Sequence, residues 1–221
     1  MKKTILEIAV LLMISACGNN ETQNLSKKQV NADSINTNSL KQTSLTSTVL
    51  EQDSMSLPEY LYPFVLPNYE VLKFKKGNLN KDNLEDFVLI LAVKNENEKG
   101  DALRPLLLLT QNEDKTYILT ARNDSIVNCR DCGGKLDPLA DISIKNGFFT
   151  IEHEGGRRER WTKNITFSFN QELNSWFLHR IDETEIDTSN EKDKGISKTR
   201  TEKDFGKILF KEYSFEKMDN K

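Results

Sequence analysis

The sequence is poor in the residues from which most enzyme sites are built. It has two histidines and three cysteines in 221 residues, and four zinc ligands at a recognised spacing cannot be assembled from them. No Gly-x-Ser-x-Gly, His-Glu-x-x-His or phosphate-cradling glycine loop occurs, so the common signatures of serine hydrolases, metalloproteases and nucleotide-binding enzymes are missing. There is no block of basic residues, and the formal net charge is −3, which argues against nucleic acid as a partner. Lys and Arg are scattered among Asp and Glu as on a solvated surface. No run is long and apolar enough to cross a bilayer. From Gly18 to about Ser56 there is no aromatic residue at all.

What is present begins at the N-terminus with MKKTILEIAVLLMISACGNN. Lys2 and Lys3 start a short charged region that reaches to Glu7. Ile8 to Ile14 is then an apolar stretch of signal-peptide length. Ile14-Ser15-Ala16-Cys17 resembles a bacterial lipobox. The resemblance implies that residues 1–16 are a lipoprotein signal peptide removed on export, and that the Cys17 thiol receives a diacylglyceryl group, with palmitate among the expected chains. The alternative is an ordinary secretory signal with a chance cysteine. Each buried lipid CH₂ contributes roughly 0.8 kcal/mol, and several chains together anchor stably. The expectation is a protein exported and lipid-anchored to a bacterial membrane. Gly18 after the cysteine follows the enteric rule for the outer membrane, facing the periplasm or the surface.

Residues 17–56 are rich in Asn, Ser, Thr and Gln. Such composition buries too little surface to offset chain entropy and reads as a flexible linker. Hydrophobic patterning starts at Leu57, and residues 57–221 are the size of one domain. Its fold class is mainly β: antiparallel meander sheets, packed face to face as a sandwich or strongly curved like a propeller blade, with little helix. Pro58, Pro63 and Pro67 punctuate an irregular lead-in, with room for one short helix, before a strand around Glu70 to Lys75. FVLILAV, Phe87 to Val93, is an unbroken apolar run and reads as a strand buried on both faces; Pro105 to Thr110 is similar, and Thr116 to Arg122 returns after a polar turn. Ile142 to Lys145, Asn146-Gly147 and Phe148 to His153 form the clearest hairpin, because Asn-Gly supplies the positive φ angles of a type I′ turn. Trp161 to Phe169 alternates, Asn170 to Asn174 turns, and Trp176 to Ile181 completes a second hairpin. Asp182 to Thr201 reads as a charged loop, and Asp204 to Tyr213 as a last strand or an edge.

Three stretches invite chemistry. In GNLNKDNLEDF, Asn78, Asn80 and Asp82 alternate, Leu84 offers a backbone carbonyl, and Asp86 follows. Alternating oxygens of this kind suit a hard cation such as Ca²⁺. The loop resembles the calcium-type loop of FG-GAP and VCBS β-propeller repeats, which also runs into an apolar strand. Asn78 stands where those repeats carry Asp, and Asn83 where they carry Gly. With so little formal charge the implied affinity is about 10⁻⁴–10⁻³ M at best. The other reading is an Asx turn, its side chains bonding their own backbone. The loop occurs once, which excludes a full propeller. A wider resemblance, carried by RPLLLL (Arg104 to Leu109), ARND (Ala121 to Asp124), CRDCGG (Cys129 to Gly134) and NGFFTIEHEGG (Asn146 to Gly156) with Trp161 and Thr162, is to a family of bacterial envelope lipoproteins to which no activity is assigned. It implies an envelope location and a β fold.

Once Cys17 is lipidated, Cys129 and Cys132 are the remaining thiols. In an oxidising compartment this pair points to a disulfide. A redox-active pair would need a helix N-terminus behind the first cysteine, and zinc would need two further ligands. Glu152 and Glu154 share one face of a strand with His153 on the other, either as an acid–base pair or as one solvated face. Arg157, Arg158 and Arg160 near a Gly-Gly turn offer a binding site for an anion or a carboxylate-bearing glycan, or a charged hairpin end paired with nearby Glu. The function expected from all this is a lipid-anchored envelope protein with a non-enzymatic binding or structural role toward an envelope protein or glycan, needing no cofactor unless Ca²⁺ is bound weakly. The alternatives are a periplasmic inhibitor or immunity-type protein and, further off, a hydrolase using Glu152 and Glu154.

Overall fold

The structure is a computed structural model that describes residues 56–219 apart from 99, 135, 191 and 193. The signal peptide, Cys17 and all but the last residue of the linker lie outside the described residues. The described residues belong to one compact unit. It holds two antiparallel sheets in strict sequence order. The first consists of β1 (Tyr69–Gly77), β2 (Asp86–Val93), β3 (Leu106–Gln111) and β4 (Tyr117–Asn123). The second consists of β5 (Leu139–Lys145), β6 (Phe148–Gly156), β7 (Glu159–Asn170), β8 (Ser175–Asp187) and β9 (Ile196–Thr201).

Side chains alternate across each strand, and this sorts the apolar runs. Val88, Ile90, Leu106 and Leu108 share one core with Ile142, Phe149, Ile151, Ile165, Phe167 and Ile181 of the second sheet. The sheets therefore pack face to face as a β-sandwich. Phe87, Leu89, Leu91, Leu107 and Leu109 point the other way, into a second cluster with Leu57 and Leu61. A 3₁₀ segment, Glu59–Phe64, supplies that cover. An antiparallel strand usually keeps one face wet; here the lead-in segment dries it, which is why FVLILAV and LLLLT carry no polar alternation. Each fully buried Leu or Phe contributes ~1.5–3 kcal/mol.

The Asn146-Gly147 turn has φ of 50° and 77°, as a type I′ hairpin requires. Two expectations are corrected. Residues 182–201 are not one loop: β8 continues to Asp187, and β9 pairs with it from Arg180↔Thr201 to Glu185↔Ile196. The charges there belong to an edge strand, where exposed Lys is tolerated and discourages further pairing. Residues 204–213 are not a strand. They form a short helix α1 (Glu202–Phe205), a single bridge from Leu209 to Phe177 and a 3₁₀ turn, followed by α2 (Phe215–Asp219). A capping box between Thr201 and Asp204 starts α1, and Gly206 at φ 76° ends it. Phe205, Ile208, Phe210, Tyr213 and Met218 are buried in the shared core, and Asn123 Nδ2 donates to the carbonyls of Phe210 and Tyr213 at 2.6 and 2.9 Å. The segment is a plug over one end of the sandwich.

Candidate functional site

The loop from Asn78 to Asp86 spends its oxygens on its own backbone. Asn78 Oδ1 accepts from Lys81 N at 2.6 Å, Asn80 Oδ1 from Asp82 N at 3.1 Å and Asp82 Oδ1 from Leu84 N at 2.8 Å. These are Asx-type turns, and Lys81 and Asn83 take the positive φ angles they need. Asp86 is fully buried: Oδ2 accepts from Leu79 N at 2.7 Å and Oδ1 from Gln111 N at 3.0 Å. Burial raises its pKa, and those backbone donors pull the other way. Among the described residues no group of three or more His, Cys, Asp or Glu side chains is placed to share a metal. The loop instead joins the two sheets. Leu79 O accepts from Trp176 Nε1 at 2.9 Å, and Asn78 O from Gly147 N at 3.1 Å.

Cys129 and Cys132 form a disulfide in the crossover between the sheets. That crossover is fixed by Arg104, a fully buried arginine whose five N–H donors all find acceptors. Nε and Nη2 pair with Glu96 at 2.6 and 2.8 Å; Nη1 and Nη2 pair with Asp137 at 2.7 and 2.5 Å; Nη1 also reaches Asn128 O at 3.1 Å. Burial alone would lower the guanidinium pKa, but the two carboxylates outweigh it and raise it. Burial likewise pushes Asp137 up, and Arg104 outweighs that and holds it below the usual carboxylate range. Asn128 and Asp137 flank the disulfide, so one cation clamps both ends of the CRDC loop. Its tip, Arg130 and Asp131, remains exposed.

The second sheet is longer than the first at one end, and the charged positions on its inner face mark where the second layer stops. A bulge at His179 and Arg180 re-phases β8, so that Ile181, Glu183 and Glu185 face inward after Trp176 and Leu178. Opposite them on β7, Trp161 pairs with Glu185, Lys163 with Glu183 and Ile165 with Ile181. Outward from the Ile165–Ile181 row, Asn128 of the crossover and Phe215 of α2 line a cavity of about 220 Å³ with Trp161, Lys163, Glu183 and Glu185. A second cavity, about 360 Å³, shares Trp161 and Glu185 and adds Glu159, Arg160, Asp187 and Ile196.

Lys163 Nζ lies 2.9 Å from Glu183, which also pairs with Arg200 at 3.3 Å. The ammonium sits 5.1 Å from the centre of the Phe215 ring. Trp161 lies directly over Gly155: a Cβ there would come within 2.5 Å of Cζ2 and 2.8 Å of Gly133 O. Beneath the cleft, His153 is 1% exposed. Its Nε2 accepts a long 3.4 Å bond from Asn128 N, and its Nδ1 makes no well-formed hydrogen bond among the described residues. Burial, with the nearby charges of Lys163 and Arg104, pushes its pKa down to about 4, so it is neutral at pH 7.

The other sequence candidates lie apart from this cleft or are only partly in it. Glu152 and Glu154 pair with Asn164 and Thr162 on the outer face. His179 is exposed beside Phe148 because the bulge turns it outward. The three arginines are not brought together: Arg158 is bidentate to Asp187 at 3.1 and 3.0 Å, Arg157 is exposed in the turn, and Arg160 lines the second cavity. Trp161 is legible in the sequence as a strand residue and as part of the wider resemblance, not as a site residue; Lys163, Glu183, Glu185 and Asn128 belong to no motif read there. The signal was there, in charged residues at the inward phase of strands whose other inward positions are Ile and Phe. Comparison with protein-family models, with curated proteins and with solved structures finds no match for this chain.

Proposed function

We propose that this chain is a bacterial envelope lipoprotein: a signal peptide over residues 1–16, a lipidated Cys17, a linker to residue 56, and a β-sandwich that binds rather than catalyses. The observation that carries the binding role is the cleft around Trp161. It sits at an uncovered sheet end and is walled by a crossover that Arg104 and the Cys129–Cys132 bond hold rigid, a pre-organised surface of the kind recognition favours. The candidate acid–base pair, Glu152 and Glu154, is on the opposite face of the same sheet from that cleft. Growth with radiolabelled palmitate tests the anchor: the wild type takes up label and Cys17→Ala does not. Label absent from the wild type, or retained by the variant, defeats the lipoprotein reading.

The exposed Arg130–Asp131 tip favours a second reading, an inhibitor or immunity-type protein that presents this loop to an envelope enzyme. A stoichiometric partner recovered from envelope extract by the wild type, and lost with Arg130→Glu, would support it over a cleft-based role.

A further inference from the structure

We infer that the overhanging end of the second sheet is a carbohydrate-binding cleft, taking an oligosaccharide of gluco-configured pyranose rings stacked on Trp161 and held by Glu185 and Asn128. This rests on the reading of the chain as a binding domain and names what the domain binds.

The chemistry of the cleft selects the ligand class. One side of the Trp161 indole is pressed on Gly155, and the ring also borders both cavities. An indole held in this way is a rigid apolar platform. A gluco-configured pyranose keeps its hydroxyls equatorial and so presents a flat C–H face of matching shape. Around the platform the polar groups are of mixed sign. Lys163 and Arg200 share the carboxylate of Glu183, whereas the side chains of Glu185, Arg160 and Asn128 have no hydrogen-bond or ion-pair partner among the described residues. A polyanion would meet Glu185 and Glu159, and a polycation would meet Arg160. A sugar hydroxyl both donates and accepts, so it satisfies carboxylate, amide and guanidinium alike. The two cavities share Trp161 and Glu185, a layout that fits adjacent rings of a chain rather than one isolated monosaccharide, and their sizes approach or fall within the usual range for ligand sites.

The test is intrinsic fluorescence of the full chain in a polyoxyethylene detergent, which carries no sugar headgroup, titrated with cellotriose and with chitotriose. Trp176 is buried and donates to Leu79 O, so a change on binding reports Trp161. A saturable change is expected with at least one of the two sugars. Glu185→Gln, an exposed position, should weaken binding roughly tenfold or more, as loss of a charged hydrogen-bond acceptor does. Trp161→Ala should abolish it by calorimetry, and Gly155→Ala should weaken it by displacing the indole. No saturable response to either sugar, or binding unchanged in both Glu185→Gln and Trp161→Ala, overturns the assignment. So does a cleft that binds tetralysine and ignores both sugars. Palmitate labelling separates this from the reading beneath it. A labelled protein that ignores sugar loses only the cleft assignment, and an unlabelled one that binds sugar loses only the anchor.

Discussion

The carboxylate of Asp86 reaches back across its own loop to hold Leu79: Oδ2 accepts from Leu79 N at 2.7 Å while Oδ1 takes Gln111 N at 3.0 Å. The carbonyl of Leu79 in turn accepts from Trp176 of the second sheet. A stretch that resembles an ion-binding loop thus works as a cross-link between sheets, built from backbone groups and one buried acid.

Removing that acid strands two backbone donors. Asp86→Ala should destabilise the domain by roughly 2–6 kcal/mol, since each unsatisfied buried group costs about 1–3 kcal/mol. Asp86→Asn keeps one acceptor and should fall between. Urea denaturation midpoints with an unchanged slope would show it. A loss below about 0.5 kcal/mol for the alanine variant, the size of an ordinary surface substitution, would mean the loop is not a brace.

Calcium should not be needed to hold this loop. Its Asx oxygens already accept backbone N–H groups, so millimolar Ca²⁺ is expected to leave the melting temperature unchanged. A rise that disappears in Asp82→Ala would show instead that the loop reopens around the ion.

Arg104 should matter more than the disulfide beside it. Breaking a buried ion pair by removing one partner costs about 3–5 kcal/mol, and Arg104→Met strands the buried Glu96, while the more exposed Asp137 turns to water. The Cys129–Cys132 bond closes a very short loop, with a sequence separation of 3, for which the chain-entropy contribution is about 2 kcal/mol. Cys129→Ser with Cys132→Ser should therefore leave a folded domain, less destabilised than Arg104→Met. The reverse order in chemical denaturation would place the crossover's rigidity in the disulfide.

Protonation of His153 should destabilise the fold in mild acid. Its pKa drops from 6.5 in the unfolded chain to about 4 in the folded one. The unfolded state therefore binds the proton first, and the contribution of the neutral ring is full above pH 6.5 and lost as pH falls toward 4. Between pH 7.5 and 4.5 that loss is roughly 2–3 kcal/mol. The stability difference between those two pH values should shrink by that amount in His153→Phe. An equal difference in wild type and variant would assign the acid sensitivity to carboxylates alone.

Local chemistry carried much of the fold into the sequence. Asn146-Gly147 specifies its turn because so few residues tolerate two positive φ angles in succession. The unbroken apolar run from Phe87 to Val93 shows a strand dry on both faces, whatever covers it. Cys129 and Cys132 were legible as a bridge from their even number and tight spacing, on the expectation of an oxidising compartment. The edge strand Ile196 to Thr201 was not legible, because its exposed Ser, Lys, Thr and Arg side chains look the same in a strand and in a loop. The plug from Phe205 to Met218 was equally hidden: its apolar residues follow neither a strand nor a helix period, and only the open end of a sandwich gives them a place.

The sequence by itself thus determined the β class, the main hairpins and the disulfide, since turn chemistry, side-chain period and thiol pairing act over a few residues. Tertiary structure alone decided what the loop at Asp86 braces, where Arg104 anchors, and that Trp161, Glu185 and Asn128 meet at one cleft. Those groups come from three separate segments of the chain. What brings them together is the phase set by a bulge at His179 and Arg180 and the point at which one sheet outruns the other, and both are properties of how the sheets register and pack rather than of any local pattern.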